Sequence, residues 1–210
     1  HLDVATQGLL DADTMAKLER GFFRFQRSNW RPGLISERIY INAAADHAPE
    51  VMAFLVRDIV DNPGAYPGIE MAKISGTRAV SRRAENIVLY TTGPEATEKV
   101  LEAISLYRQH HPNHFMRSIP KMTDGRLPGV AVGAEPIAEL FDGDVSFGTA
   151  RAQVIHRSLT EAKQAGLEFD QFRALVRQNF KKVGIDPNAP HLNLPRSNTG
   201  DTVLMRSRTE

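Results

Sequence analysis

The sequence predicts an α+β protein, a small, mostly antiparallel sheet backed by helices. Three observations predict it. "RIYINA" alternates polar and apolar residues as a strand does. "IEMAKIS" and "NIVLYT" read as two further strands. "DHAPEVMAFLVRDIVDN", "GPEATEKVLEAISLYRQHH" and "EFDQFRALVRQNFKKVG" carry apolar stripes at helical spacing. No repeat, low-complexity tract or clean linker divides the 210 residues. One domain is therefore expected over 1–195, followed by a polar tail over 196–210.

In chain order, "DADTMAKLERGFFRF" predicts a short helix capped by Asp13, with Met15 and Leu18 on its apolar side. Pro32-Gly33 marks a turn. The strand "RIYINA" sets Arg38, Tyr40 and Asn42 on one face and Ile39 and Ile41 on the other. Asp46 is expected to cap the next helix, with Pro49 in its first turn and Met52, Leu55, Val56 and Ile59 as its stripe. After "NPGAYPG", strands 69–75 and 86–91 are joined by the basic link "GTRAVSRRAE". Pro94 opens another helix, whose Val100, Ile104 and Tyr107 face the core. From Pro112 to Asp144, Gly and Pro recur. "GVAVG" reads as a short strand there and the rest as an ordered loop. A helix begins after Ser146 or Gly148. The last helix shows Phe172, Leu175, Val176 and Phe180 on one face and stops at Gly184.

Charge is nearly balanced, with 26 basic against 25 acidic residues, so the totals do not argue for nucleic acid. The chain has no cysteine, which excludes disulfides, iron–sulfur centres and thiolate catalysis. No apolar run approaches the ~20 residues of a membrane span, so no membrane partner is expected. No signal peptide is visible in a sequence that begins at His1.

Chemistry centres on Lys73, inside a predicted strand. Such a lysine can be a surface residue on an edge strand. It can also be a cleft amine whose pKa is lowered by neighbouring cations, able to act as a base. Arg78, Arg82 and Arg83 follow it, and Tyr90 ends the next strand. Arg117, Lys121 and Arg126 surround the Gly/Pro-rich loop, and Arg151 and Arg157 follow the "SFG" helix start. Several of these can converge on a dianionic phosphate, since arginine grips phosphate through a bidentate fork. Most must be ordinary solvated cations. There is no P-loop and no dinucleotide glycine signature. His110 and His114 are spaced for a metal only if the segment is helical, and Pro112 stands between them, so no metal site is expected.

The segments "RIYINA", "AKISG", "RRAENIVLY", "IPKMTDGRLPGVAVGAEP" and "VSFGTARAQVIHRSL" occur in this order between about Arg38 and Pro195. In this the chain resembles the HopA-type effector family, bacterial proteins first associated with type III secretion, with relatives in lanthipeptide and thioamide-peptide biosynthesis. The resemblance implies a fold distantly similar to the bacterial phosphothreonine lyases. It implies a lyase that removes phosphate from phosphoserine or phosphothreonine of a precursor peptide, leaving dehydroalanine or dehydrobutyrine.

Residue by residue, the resemblance makes Lys73 the base and Arg83, with Arg82 as a close rival, the arginine before the next strand. Tyr90 ends that strand, and Arg38 and Tyr40 stand where the phosphothreonine lyases carry a lysine and a histidine acid. Tyr40 and Tyr90 are thus the catalytic partners expected of Lys73. Arg38, Arg82, Arg83, Lys121 and Arg151 are expected to bind phosphate. Asn42 is expected to support the developing oxyanion, and Glu85 to orient an arginine. No cofactor is required, because elimination changes no oxidation state. The expected partners are a phosphorylated precursor peptide and a kinase-like protein. The bacterial cytoplasm is the expected location, ahead of secretion. Two alternatives stand beside this reading: a non-catalytic phosphopeptide-binding partner of a kinase, and a secreted effector acting on host phosphoproteins.

Overall fold

A computed structural model of the chain describes residues 21–28, 31–76, 83–141 and 145–195. The reading of residues 11–20 as helix, the 196–210 tail and Arg82 lie outside the described residues. Two compact units divide the chain. The first holds His1–Pro120 and Gly125–Ala131, the second Lys121–Asp124 and Val132–Glu210.

The first unit is built on strands β1 (Phe22–Gln26), β2 (Glu37–Ile41), β3 (Ile69–Ser75) and β4 (Ile87–Thr91). Strands β5 (Asp124–Leu127) and β6 (Val130–Ala134) follow Pro120, and the sheet order is β1-β3-β4-β2-β6-β5. The β1–β3, β3–β4 and β2–β4 pairings are antiparallel. The mixed α+β class with an antiparallel sheet is therefore as the alternating patterns predict.

Helix α1 (Ala48–Phe54) runs on as a π-helical segment, Leu55–Val60, and α2 spans Pro94–His110. One face of the sheet is dry. Ile39, Ile41, Ala72, Ile87 and Leu89 are fully buried, as are Leu55, Ile59, Val100 and Ile104 of the helices that back the strands. The stripe read at Met52, Leu55 and Ile59 faces inward.

Three local expectations are corrected. Phe22–Gln26 is strand and not the end of a helix. Aromatic-rich "FFRF" fits a pleated surface, and pairing with Met71–Ser75 of β3 decides its state. Asp46 does not cap α1. It sits inside a 3-10 turn (Ala45–His47), and His47 holds the cap position without a side-chain bond. The Gly/Pro-rich segment is more regular than a loop, because Asp124–Leu127 forms β5 ahead of the foreseen β6. The tight Pro128-Gly129 turn between them uses Gly129 at φ 78°, a conformation glycine adopts freely.

Arg27, just beyond β1, fastens that strand to the helix layer. Its Nε donates to the Val60 carbonyl at 2.9 Å and its Nη2 to the Tyr66 carbonyl at 2.8 Å. The Ile59 carbonyl takes a longer bond from Nη2, at 3.4 Å. One side chain thus ties β1 to three carbonyls between Ile59 and Tyr66. Burial lowers the Arg27 pKa, while Glu70 and Asp61 oppose that shift.

In the second unit, α3 (Phe147–Gln164) packs on α4 (Phe169–Lys182). Ser146 caps α3, its Oγ accepting from the Thr149 amide at 3.1 Å. Glu168 and Gln171 form a capping box on α4. Gly184, at φ 70°, follows the end of α4, as the sequence predicts. Leu140, Phe141, Val154, Phe180 and Ile185 lie in this unit's core.

Candidate functional site

The face of the sheet opposite the dry one carries the polar row. Antiparallel register sets Lys73 of β3 beside Val88 of β4, and Val88 beside Tyr40 of β2. The neighbouring row joins Met71, Tyr90 and Arg38. On the other side of Lys73, β1 contributes Arg24 directly opposite it and Phe22 opposite Ser75. Cross-strand partners share a face, so these residues stand on one surface.

Their side chains form a ladder in which cations alternate with aromatic rings. The Arg83 guanidinium carbon lies 5.4 Å from the Phe22 ring centre, and the Lys73 amine lies 4.6 Å from the same ring. That amine is also 5.2 Å from the Tyr90 ring, over which Arg38 sits at 4.9 Å. Each ring face presents negative electrostatic potential to two cations, which offsets part of their mutual repulsion. Lys73 is half-buried, whereas Arg38 and Tyr90 are 6 % and 5 % exposed.

Glu85 supplies the carboxylate. Its Oε1 pairs with an Arg83 nitrogen at 3.3 Å. Burial pushes the Glu85 pKa up, while Arg83 and Lys73 pull it down. Glu85 and Arg83 thus form an ion pair beside the ladder. Tyr40 is buried on the same face, one strand beyond Val88.

The remaining predicted residues have other surroundings. The Asn42 amide nitrogen donates to the Ser118 carbonyl at 2.9 Å and to its hydroxyl at 2.8 Å. This side chain ties the end of β2 to the 115–118 segment. Lys121 and Arg151 belong to the second unit. Lys121 is exposed on a turn. Arg151 is 1 % exposed, donates to the Pro190 carbonyl at 2.8 Å and to the Phe147 carbonyl at 3.3 Å, and stacks 3.5 Å from the Phe147 ring centre. Those contacts make it a tie within that unit's core. Phe147 in turn packs against Gly133, where a Cβ would stand 2.5 Å from ring atom Cε2.

Phe22 and Arg24 are absent from the residues that sequence reasoning selects. The signal that finds them is the alternation of "FFRFQ", which sets Phe22 and Arg24 on one face once the segment is read as a strand.

The histidines form a separate cluster. His47 and His114 stack at 4.1 Å and 10°, and His111 and His114 at 4.7 Å and 28°. The Tyr107 hydroxyl is 3.0 Å from His114 Nδ1. Burial, then His47 and His111, lowers the His114 pKa. Parallel stacking points the ring edges along one another rather than at a common centre. Among the described residues, no group of three His, Cys, Asp or Glu side chains is placed to hold a metal ion. No described helix is long and apolar enough to cross a membrane.

The HopA1 effector protein family matches residues 14–192. Two solved structures share the fold, both of effector proteins from Pseudomonas syringae. The one from pathovar tomato strain DC3000 is 20% identical, with a TM-score of 0.63 over 93% of this chain and 73% of that one. The one from pathovar syringae strain 61 is 18% identical, with a TM-score of 0.65 over 92% and 72%. No curated protein sequence matches the chain. These matches overturn the cytoplasmic location expected from the sequence, because both solved relatives and the family itself are described as effectors. None of the three descriptions concerns lanthipeptide or thioamide-peptide biosynthesis.

Proposed function

Because the chain belongs to the HopA1 effector protein family, we propose that it is an effector that acts on phosphoserine or phosphothreonine in other proteins, removing the phosphate by β-elimination. The ladder Arg83–Phe22–Lys73–Tyr90–Arg38 carries this reading. It sets one primary amine among guanidinium groups on a single face of the sheet. The amine is the base and the guanidinium groups hold the anion.

In the proposed reaction Lys73 Nζ, uncharged, takes the α-proton. The electrons of the Cα–H bond become the Cα=Cβ double bond. The Cβ–O bond breaks, and phosphate leaves with its electron pair. Neighbouring guanidinium groups disfavour a further positive charge on the amine and favour the departing dianion. Arg83, fixed by Glu85, and Arg38, held over Tyr90, are the inner phosphate ligands. Tyr40 and Tyr90 supply hydroxyl groups from adjacent strands of the same face. A kinase must act on the substrate beforehand, since the site itself adds no phosphate.

An effector's substrate is a protein of the cell it meets, which favours a phosphoprotein over a biosynthetic precursor peptide. The test is mass measurement after incubation with phosphoserine and phosphothreonine peptides. Elimination releases inorganic phosphate and leaves a peptide lighter by phosphoric acid. A protein that binds the phosphopeptides and leaves their masses unchanged is the non-catalytic alternative. Absence of both binding and mass change refutes the phosphopeptide reading.

A further inference from the structure

We propose that Arg24 of β1 belongs to the phosphate-binding set and grips the substrate's phosphate from the outer edge of the sheet. This rests on the phosphopeptide reading above and adds a residue, and a direction of approach, that the ladder does not contain.

Four observations support it. The β1–β3 register puts Arg24 directly opposite Lys73. Phe22, two residues earlier on the same strand face, has its ring against the Lys73 amine, which fixes the side of the sheet that Arg24 shares. Arg24 is exposed, whereas Arg38 is 6 % exposed, so the two stand at opposite depths of the same surface.

A fourth observation is the state of its charge. Arg83 is paired with Glu85, Arg57 with Asp58, Arg126 with Glu98, Arg157 with Glu161 and Arg173 with Asp170. Among the described residues, no carboxylate is paired with Arg24. A guanidinium in water beside a base, uncommitted to any carboxylate, retains its full fork for a bidentate contact with a phosphate monoester. On approach along β1 the phosphate meets Arg24 first. Arg83 and Arg38 then draw it inward, and the α-carbon comes to lie over Lys73.

The experiment measures the affinity of the full chain for a phosphoserine peptide and for its unphosphorylated twin, at fixed ionic strength. The proteins are wild type, Arg24→Ala, Arg24→Lys and, as a control for long-range charge, Arg173→Ala. Loss of one charge-assisted contact predicts that Arg24→Ala weakens phosphopeptide binding by roughly 10- to 100-fold, with binding of the twin unchanged. Arg24→Lys falls between, because lysine keeps the charge and loses the fork. Arg173→Ala binds as wild type. An Arg24→Ala protein that keeps the full preference for phosphopeptide overturns the assignment and leaves the phosphopeptide reading standing. An equal loss in Arg173→Ala reduces Arg24 to diffuse attraction and overturns it as well. A wild-type protein with no preference between the peptides removes both the reading and the assignment.

Discussion

The Lys73 amine lies 4.6 Å from the centre of the Phe22 ring, and the Arg83 guanidinium shares that ring from 5.4 Å. One exposed phenylalanine on an edge strand therefore spaces the Lys73 amine from the Arg83 guanidinium. Phe22→Leu keeps an apolar side chain and removes the ring face, worth about 0.5–2 kcal/mol per cation. The expected result is a loss of several-fold to tens-fold in kcat/KM on a phosphoserine peptide, with Phe22→Tyr close to wild type. An equal fall in both variants would assign the ring to packing alone.

Lys73→Met removes the amine and keeps an unbranched chain of similar reach. A positioned general base contributes roughly 10²–10⁴-fold in rate, and a loss of that size in phosphate release is expected. Phosphopeptide affinity stays measurable, because Arg38 and Arg83 remain. Phosphate release at the wild-type rate would show that the base is elsewhere.

The histidine stack predicts a loss of stability in acid. His114 is faced by His47 and His111, by the Tyr107 hydroxyl and, through charge, by Glu50. Its folded pKa lies below the ordinary value, so between the two values the unfolded chain binds more protons. Stability from this residue is therefore present above the unfolded pKa of about 6.5 and is lost as pH falls through the lower folded value. Glu50 acts in the opposite direction. Denaturant midpoints between pH 7 and pH 5 should fall more steeply for wild type than for His114→Gln. Parallel curves would remove His114 from the account.

Gly133→Ala places a methyl group where Phe147 Cε2 would be 2.5 Å away. Because Phe147 also carries the stacked Arg151, the ring cannot yield without disturbing a buried guanidinium. Overpacking of this kind costs roughly 1–3 kcal/mol. A drop in the thermal midpoint without any change in phosphopeptide affinity is expected. An unchanged midpoint would mean that the Phe147 ring moves freely.

Elements with strong local periodicity were legible from the sequence. β2 alternates, and that alternation alone put Arg38, Tyr40 and Asn42 on one face, while β3 and β4 read as short apolar, β-prone runs. Lys73, Arg38 and Arg83 are brought together as partners of the Phe22 and Tyr90 rings. Phe22 and Arg24 were hidden because their meaning depends on pairing with Ser75 and Lys73, far along the chain. Asn42 and Arg151 were chosen for their residue types. What engages them, Ser118 76 positions away and Pro190 39 positions away, leaves no local trace. β5 was missed for a related reason, since four residues reading "DGRL" have no strand pattern apart from the turn that folds them against β6.

Arg27 holds β1 to the carbonyls beyond α1, and among the described residues β1 has a neighbouring strand on one side only. The outer wall of the ladder therefore rests on the segment most prone to fraying. Amide deuterium uptake at Phe22–Gln26 should outpace uptake at β4, and weakening the arginine clasp should widen that difference. The cluster can then come apart and re-form while the dry layer beneath stays intact, so its working lifetime is set separately from the persistence of the fold.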